Sequence, residues 1–425
     1  MFGVITKINW LYDRIVNYPL HTQKELDEKV KNLRKKDMIT IAFVTMNVAM
    51  WKYQALYDLL KKNPRYKLYI IISPSVKFSR ETMIGDVQAM RGYFEKRSME
   101  FVDWDVENNK EPKDIKQTIN PDILFYTQPG MNVFTPKHSF QHFRDKLICY
   151  TPYGFYFHNT KSMYDRPFYN TAWKLYYYTD AQRRMAKKYS RSCARNVVVC
   201  GHPEYERFMN GPFEDVWKIK DRSVKRIIWA PHFTITHSLL GGFQQRSTFL
   251  ELSDMMLDLA KRYQGKIQIA FKPHPRLLTE LYNHPDWGKT KADAYYKEWE
   301  ELPNGQLETG DFISLFHYSD ALVHDSSSFV LDYLYFNKPE MFLTDNIQSY
   351  IDEADELGQI VYKSIYHGKT EKEIVHFIDD VVISGNDVTL LKRKQIVKEN
   401  MLPPNGRNSA ENMYIDLCSS IGIKW

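Results

Sequence analysis

Residues Ile39 to Ser73 read ITIAFVTMNVAMWKYQALYDLLKKNPRYKLYIIIS, and this stretch decides the fold class. Ile39 to Thr45 is a short apolar run rich in β-branched residues, Trp51 to Leu60 follows at helical spacing, and Tyr66 to Ser73 is β-rich again. Two strands joined by a crossover helix lie parallel, because only a crossover returns the chain to start the second strand from the same end. Further strand candidates at Ile123 to Tyr126, Leu147 to Tyr150 and Asn196 to Cys200 extend the alternation into a doubly wound, largely parallel α/β sheet.

A polar, charged stretch from Glu214 to Lys225 interrupts the pattern. A second series follows it, with strands at Arg226 to Pro231, Lys266 to Lys272, Ala321 to His324 and Glu340 to Leu343. A chain of 425 residues has room for two such domains. The expected organisation is an N-terminal helical segment (1–37), an α/β domain (38–215), a second α/β domain (216–390) and a helical tail (391–425), with the domain boundary between Pro212 and Lys225. The tail is broken at Leu402-Pro403-Pro404-Asn405-Gly406. Two domains of this kind are expected to face a cleft, with ligands bound beyond the carboxyl ends of strands.

The hydrophobic share of 43% and charged share of 26% are ordinary globular values and argue against long disorder; the aromatic share of 15%, led by 29 Tyr, is high. A net charge of +6 falls short of a nucleic-acid-binding balance but favours anionic partners. Cys149, Cys193, Cys200 and Cys418 have neither metal nor disulfide-framework spacing, so a reduced, cytoplasmic protein without a metal centre is expected. Met38 to Trp51, the most apolar stretch, is too short to span a bilayer. Lys7, Asp13 and Arg14 interrupt what would be the apolar region of a signal peptide. Phe2, Ile5, Ile8, Tyr12 and Ile15 recur at helical spacing ahead of Lys24, Lys29, Lys31, Arg34, Lys35 and Lys36. Such a segment either lies peripherally on an anionic membrane surface or packs on its own domain.

The candidate chemistry sits just after strands. Lys272-Pro273-His274-Pro275 follows Ile267 to Phe271, with Arg276 beyond, so His274 is presented in a proline-stiffened loop beside two cations. Such a His can donate to a phosphate oxygen or protonate a leaving group; the plainer reading is a turn that satisfies a carbonyl. Asp325-Ser326-Ser327-Ser328 follows Ala321 to His324 and leads into an apolar helix, Phe329 to Phe336. Hydroxyls and unpaired N–H groups at a helix start bind anions, although one Ser there also serves as a cap. Pro231-His232-Phe233-Thr234, with His237 behind it, ends the strand from Arg226. In the N-terminal half, Tyr150-Thr151-Pro152-Tyr153-Gly154-Phe155 and His158 follow one strand, and Gly201-His202-Pro203 follows another, at the cleft or hinge. Gly154 would let a ligand or the opposite domain approach the backbone. Lys174, Arg183, Arg184, Lys187, Lys188, Arg191 and Arg195, interleaved with Trp173, Tyr176, Tyr177 and Tyr178, read as a solvated helical face or as a docking surface for a polyanionic acceptor or a membrane.

From about Lys146 to the end, these residues resemble the CDP-glycerol glycerophosphotransferase family, the teichoic-acid primases and polymerases and related capsule enzymes. The resemblance rests on Ala230-Pro231-His232, His274-Pro275, Asp325-Ser326-Ser327-Ser328-Phe329 with Asp332-Tyr333 and Lys338-Pro339, Gly201-His202-Pro203, Ala172-Trp173-Lys174-Leu175 and Asn405-Gly406-Arg407. It implies a GT-B fold, two Rossmann-like domains with the nucleotide held by the C-terminal one and the acceptor by the N-terminal one. It also implies no cofactor beyond a CDP-glycerol or related CDP-polyol donor, a glycan or lipid-linked acceptor, and peripheral association with the cytoplasmic membrane. Where many members carry His-Gly, with the His as candidate general base, this chain has Tyr153-Gly154; His158 is the alternative.

The expected reaction is attack of an acceptor hydroxyl on the β-phosphorus with CMP leaving, served by His274 and the Ser326, Ser327 and Ser328 hydroxyls, with Lys272, Arg276, His232, Thr234 and Asp325 around the phosphates. A glycosyltransferase using a CMP- or UDP-sugar on the same loops, and a non-catalytic glycan-binding scaffold, are the competing readings.

Overall fold

In a computed structural model describing residues 21–130, 132–236 and 246–425, Ile39–Thr45 (β1) is buried at every position but Thr40. A strand apolar on both faces belongs inside a sheet covered on both sides, the usual situation of parallel sheets. Around it lie Tyr66–Ile72 (β2), Phe101–Asp103 (β3), Ile123–Tyr126 (β4), Leu147–Tyr150 (β5), Lys174–Tyr177 (β6) and Val197–Val199 (β7), in the order β3-β2-β1-β4-β5-β6-β7. A second sheet contains Lys225–Ala230 (β8), Ile267–Phe271 (β9), Gly305–Leu307 (β10), Ala321–His324 (β11), Glu340–Leu343 (β12) and Tyr366–Gly368 (β13), in the order β10-β9-β8-β11-β12-β13. Every strand pair is parallel. Both sheets run outward from their first strand, then back across it, so each has a switch point, between β1 and β4 in one and between β8 and β11 in the other. The doubly wound α/β expectation holds in both halves. The segment Phe2–Ile15 and His237 fall outside the described residues.

The chain separates into two units. One takes the residues up to Tyr205 together with Met401–Trp425, and the other is Glu206–Asn400. The stretch read from sequence as a boundary, Glu214 to Lys225, therefore lies inside the second unit. Its polarity serves the amino-terminal ends of that unit's strands. The fully buried Arg226 donates to Asp215 Oδ2 (3.0 Å) and Ile219 O (2.8 Å), Gln268 accepts from Ile219 N (3.0 Å) and Gln306 accepts from Lys218 N (2.7 Å). Trp217, also fully buried, donates to Leu315 O.

The tail likewise divides. The helix Ser409–Ile421 starts on an Asn408/Glu411 capping box and buries Ala410, Met413, Leu417, Cys418 and Ile421 in the first unit's core. Asp416 on the same helix holds Lys174 Nζ (3.0 Å) and Tyr176 Oη (2.9 Å) of β6. The helical reading of residues around Lys174 is thereby corrected. Tyr176, Tyr177 and Tyr178 are buried as strand and strand end, while Arg183, Arg184, Lys187 and Lys188 alone of that set lie on the exposed face of the helix Asp180–Tyr189. Three successive bulky aromatics fit a strand covered on both faces better than an amphipathic helix. Among the described residues no helix is long and apolar enough to cross a membrane.

Candidate functional site

At the switch point of the second sheet the two phosphate-loop candidates and a third segment are fastened together. Trp229 of β8 stacks on Phe271 of β9 (5.0 Å) and on Phe249 (5.8 Å), a rigid aromatic floor beneath the loops. Above it, the buried Asp325 carboxylate accepts four hydrogen bonds. His232 N lies 2.6 Å from Oδ1; Thr248 N (2.6 Å), Thr248 Oγ1 (2.9 Å) and Ser247 Oγ (3.2 Å) converge on Oδ2. Burial pushes this carboxyl up to about 6, against the pull of those donors. Asp325 thus joins the ends of β8 and β11 to the start of the helix Phe249–Arg262 and faces inward.

Both histidines of the site are oriented by the same local device. The backbone N–H of Arg276 donates to His274 Nδ1 (3.1 Å), and that of Thr234 to His232 Nδ1 (3.4 Å), with Thr234 Oγ1 2.9 Å from the same nitrogen. A neutral ring whose Nδ1 accepts carries its proton on Nε2, so each imidazole presents an Nε2–H. The rings lie 5.1 Å apart, and the Arg276 guanidinium sits 4.1 Å over Phe233, which itself touches His274. Burial, then the neighbouring His232 and Arg276, press His274 down to about 3; burial with Arg246 and Arg276 takes His232 to about 4. Burial, reinforced by the neighbouring cations, keeps both imidazoles neutral.

Ser326 begins the helix Ser327–Leu334 without capping it; its hydroxyl lies 2.8 Å from Ser328 Oγ. Phe329 N donates to Ser326 O (3.2 Å), and the N–H groups of Ser327 and Ser328 ahead of it are left for a ligand or solvent. The carbonyl of Ser326 is held from below by His324 Nδ1 (3.0 Å), whose Nε2 lies 3.3 Å from Glu340 Oε2 on the neighbouring strand. Both side chains are completely buried. Burial drives His324 to about 3 and Glu340 far above the carboxylate range, so both groups are neutral; His324 Nδ1–H donates to the carbonyl, while Nε2 and the Glu340 carboxyl oxygens make no hydrogen bond among the described residues.

Lys272 turns away from this group. Its buried ammonium donates to Gly310 O (2.7 Å) and reaches Glu308 O (3.5 Å), anchoring the loop after β10. Arg276 is half-exposed and paired with Glu280 (2.7 Å). Arg246, Ser247 and Thr248, which the sequence reading did not single out, complete the rim; Arg246 N and Ser247 N both donate to Thr234 O (3.2 Å each).

The first-unit candidates stand separately. Tyr153 is 47% exposed and burial around its ring raises the phenol above its ordinary value. A Cβ added at Gly154 meets nothing within 4 Å, so no close packing in this unit explains that glycine. His158 stacks on Phe157 at 5.8 Å. Gly201, at φ +92°, is pressed against Pro403, and His202 lies between Phe155 (5.8 Å) and Tyr178 (4.5 Å) with Nδ1 accepting from Glu204 N. These two sit just before the crossing into the second unit. Among the described residues no group of three His, Cys, Asp or Glu side chains is arranged to hold a metal ion.

Among solved structures the chain is similar to a variant of the wall teichoic acid polymerase TagF carrying H444N, at 13% identity and a TM-score of 0.58, over 94% of this chain and 97% of that one. It is similar also to the S. aureus MnaA–UDP co-structure (11% identity, TM-score 0.57, 91% and 98%) and to the Neisseria meningitidis UDP-GlcNAc 2-epimerase bound to UDP-GlcNAc (12%, 0.55, 90% and 99%). At these identities the likeness is one of fold, two doubly wound domains of the GT-B type. No curated protein matches the chain. Residues 157–417 match the sequence model of the family described as CDP-glycerol:poly(glycerophosphate) glycerophosphotransferase, and the span includes every loop of the second-unit site. With more than half of its length so matched, the chain belongs to the CDP-glycerol:poly(glycerophosphate) glycerophosphotransferase family.

Proposed function

We propose that this enzyme transfers a polyol phosphate, glycerol phosphate first, from a CDP-polyol to an acceptor hydroxyl of a cell-surface polymer and releases CMP. The observation that carries the proposal is the pair of neutral histidines, each with its proton left on Nε2 because Nδ1 accepts a backbone N–H, together with an uncapped helix start at the switch point of the second sheet. The acceptor oxygen bonds to the β-phosphorus, the bond from that phosphorus to the bridging oxygen breaks, and its electron pair leaves with CMP. The bridging oxygen gains charge, and His274 Nε2–H is placed to donate to it. The Ser326–Ser328 hydroxyls and the helix N–H groups stabilise the remaining phosphate oxygens without reorganising. Asp325 acts through the loops it ties, and Lys272 through the loop it anchors.

The acceptor's proton goes to His158 in this reading, because a phenol whose pKa is raised, as at Tyr153, stays protonated at neutral pH and takes no proton. Release of CMP is followed with CDP-glycerol, CDP-ribitol, CMP-sialic acid and UDP-sugars as donors, on wild type, His274→Ala, His158→Ala and Tyr153→Phe. Expected are turnover with a CDP-polyol, loss of turnover by about 10²- to 10⁴-fold in His274→Ala with the fold intact, loss in His158→Ala and near-normal turnover in Tyr153→Phe. Release of nucleotide from a CMP- or UDP-sugar alone replaces phosphoryl with glycosyl transfer, and full activity in His274→Ala removes His274 from the chemistry.

A further inference from the structure

Beside the Asp325 clasp, at the carboxyl ends of β12 and β13, lies a cavity of about 560 Å³ within the second unit. That volume is in the range of small-molecule sites, about 300–1,000 Å³. Its charged lining residues pair with one another. Lys369 Nζ joins Glu251 (2.8 Å) and Asp345 (3.0 Å), while Arg246 joins Glu353 (2.9 Å) and lies 5.5 Å over the Tyr350 ring. Among the described lining residues, three carboxylates against two cations leave an excess negative charge, which disfavours a phosphate. Among the described lining residues Leu343 and Tyr350 are the only large apolar side chains, too little to cover a lipid tail or both faces of a nucleobase. Asn346 caps the following helix through Oδ1 (3.3 Å to Ser349 N), which leaves its amide N–H groups for other partners. Carboxylates, an amide and hydroxyls around one polar hollow are suited to neighbouring hydroxyl groups on an uncharged carbon chain.

We propose that this cavity holds the hydroxylated chain of a polyol. The inference rests on the phosphate-transfer reading of the adjoining site. Ser247 and Thr248 line the cavity and also donate to Asp325, the residue before Ser326–Ser328, and β12 adjoins β11 directly. A polyol attached to a phosphate at the serine loop therefore has the cavity one strand away, about 4.8 Å per strand spacing. The polyol is the donor's own group or the end of the growing acceptor; the chemistry recognised is the same.

Titration calorimetry on the full chain separates the outcomes, with CMP, CDP, CDP-glycerol, CDP-ribitol and a short synthetic poly(glycerol phosphate) as probes. Asp345→Asn and Glu353→Gln remove carboxylates at exposed positions with little change of shape. A donor polyol in the cavity predicts that CDP binds the variants as it does wild type, whereas CDP-glycerol or CDP-ribitol weakens by about tenfold, the worth of one or two hydrogen bonds. An acceptor polyol predicts the same weakening for poly(glycerol phosphate) alone. If wild type does not bind CDP, the donor reading fails, and the oligomer still decides the cavity. Unchanged affinity of both polyol-bearing probes in both variants, or no binding of either by wild type beyond that of CDP, overturns the inference.

Discussion

Replacing Asp325 by Asn separates two roles for a carboxylate that stands beside the serines proposed to bind phosphate. As a clasp it receives His232 N on one oxygen and Thr248 N, Thr248 Oγ1 and Ser247 Oγ on the other. An amide has one acceptor atom. If its carbonyl takes the Thr248 side, its NH₂ faces His232 N–H at a site where 2.6 Å now separates donor from acceptor; the flipped amide makes the same conflict with Thr248 N. Either rotamer loses a hydrogen bond to a charged group, worth about 1.5–3 kcal/mol, and strands a buried N–H, costing about 1–3 kcal/mol. Allowing for relaxation, the loss is about 2–4 kcal/mol. Denaturant unfolding of a two-unit chain has two transitions, and the one belonging to Glu206–Asn400 should move while the other stays. CDP affinity should fall with it, since three loops lose register together. Were Asp325 instead turned toward the phosphates, removing its charge would tighten CDP binding and leave stability alone; that pair of results would refute the clasp.

Three other expectations follow from the same geometry. His274 and His232 have folded-state values of about 3 and 4, below the unfolded value, so their protonation opposes the fold and stability is lost as pH falls from about 6.5 toward 3. A diphosphate beside them reverses the bias, so donor binding at pH 6 takes up protons, read as a dependence of calorimetric heat on buffer ionisation enthalpy; tight binding without uptake contradicts the placement. Glu340→Gln keeps a polar group beside the buried His324 Nε2 and should leave CDP affinity within about twofold, whereas Glu340→Leu sets an apolar side chain against that nitrogen and should weaken CDP several-fold. Equal affinities in the two variants would mean that the pair does not set the Ser326 carbonyl. Gly201→Ala brings a Cβ within 2.6 Å of Pro403 at φ +92°, which should destabilise the first unit by about 1–3 kcal/mol while CDP binding is retained. An unshifted first-unit transition would show that Pro403 yields freely.

Long central strands were legible because both their faces are apolar: Ile39–Thr45, Ile123–Tyr126, Leu147–Tyr150, Ala321–His324 and Glu340–Leu343 lie where composition places them. Four strands escaped: β3, β10 and β13 are three residues long at sheet edges and carry no periodicity to detect, and the interior β6 was hidden among interleaved basic and aromatic residues. The motif loops were legible for a different reason, their position after those strands. Their internal wiring was not. His274-Pro275-Arg276 and His284-Pro285-Asp286 make the same turn, a ring nitrogen accepting the N–H two residues on, yet the second caps nothing but itself on the surface. The His-Pro pair is thus a turn; function resides in which strand it ends. His324 and Glu340 left a faint signal, a titratable residue closing one apolar strand and another opening the next, but pairing them requires knowing that β11 and β12 are neighbours. Arg246 lay in a stretch without pattern, and its place is set by Thr234, a separation of 12 residues.

The return of the C-terminal helix has a consequence for the order in which the protein assembles. Glu206–Asn400 is contiguous and can close its sheet as soon as it leaves the ribosome, whereas the first sheet, made earlier, waits for residues 409–421. Until then the hollow destined for Met413, Leu417 and Ile421 stays open, with the apolar side chains that will line it exposed. The older half of the nascent chain therefore matures last, and a chain cut short before Met401 should yield a sound second unit attached to an aggregation-prone first one.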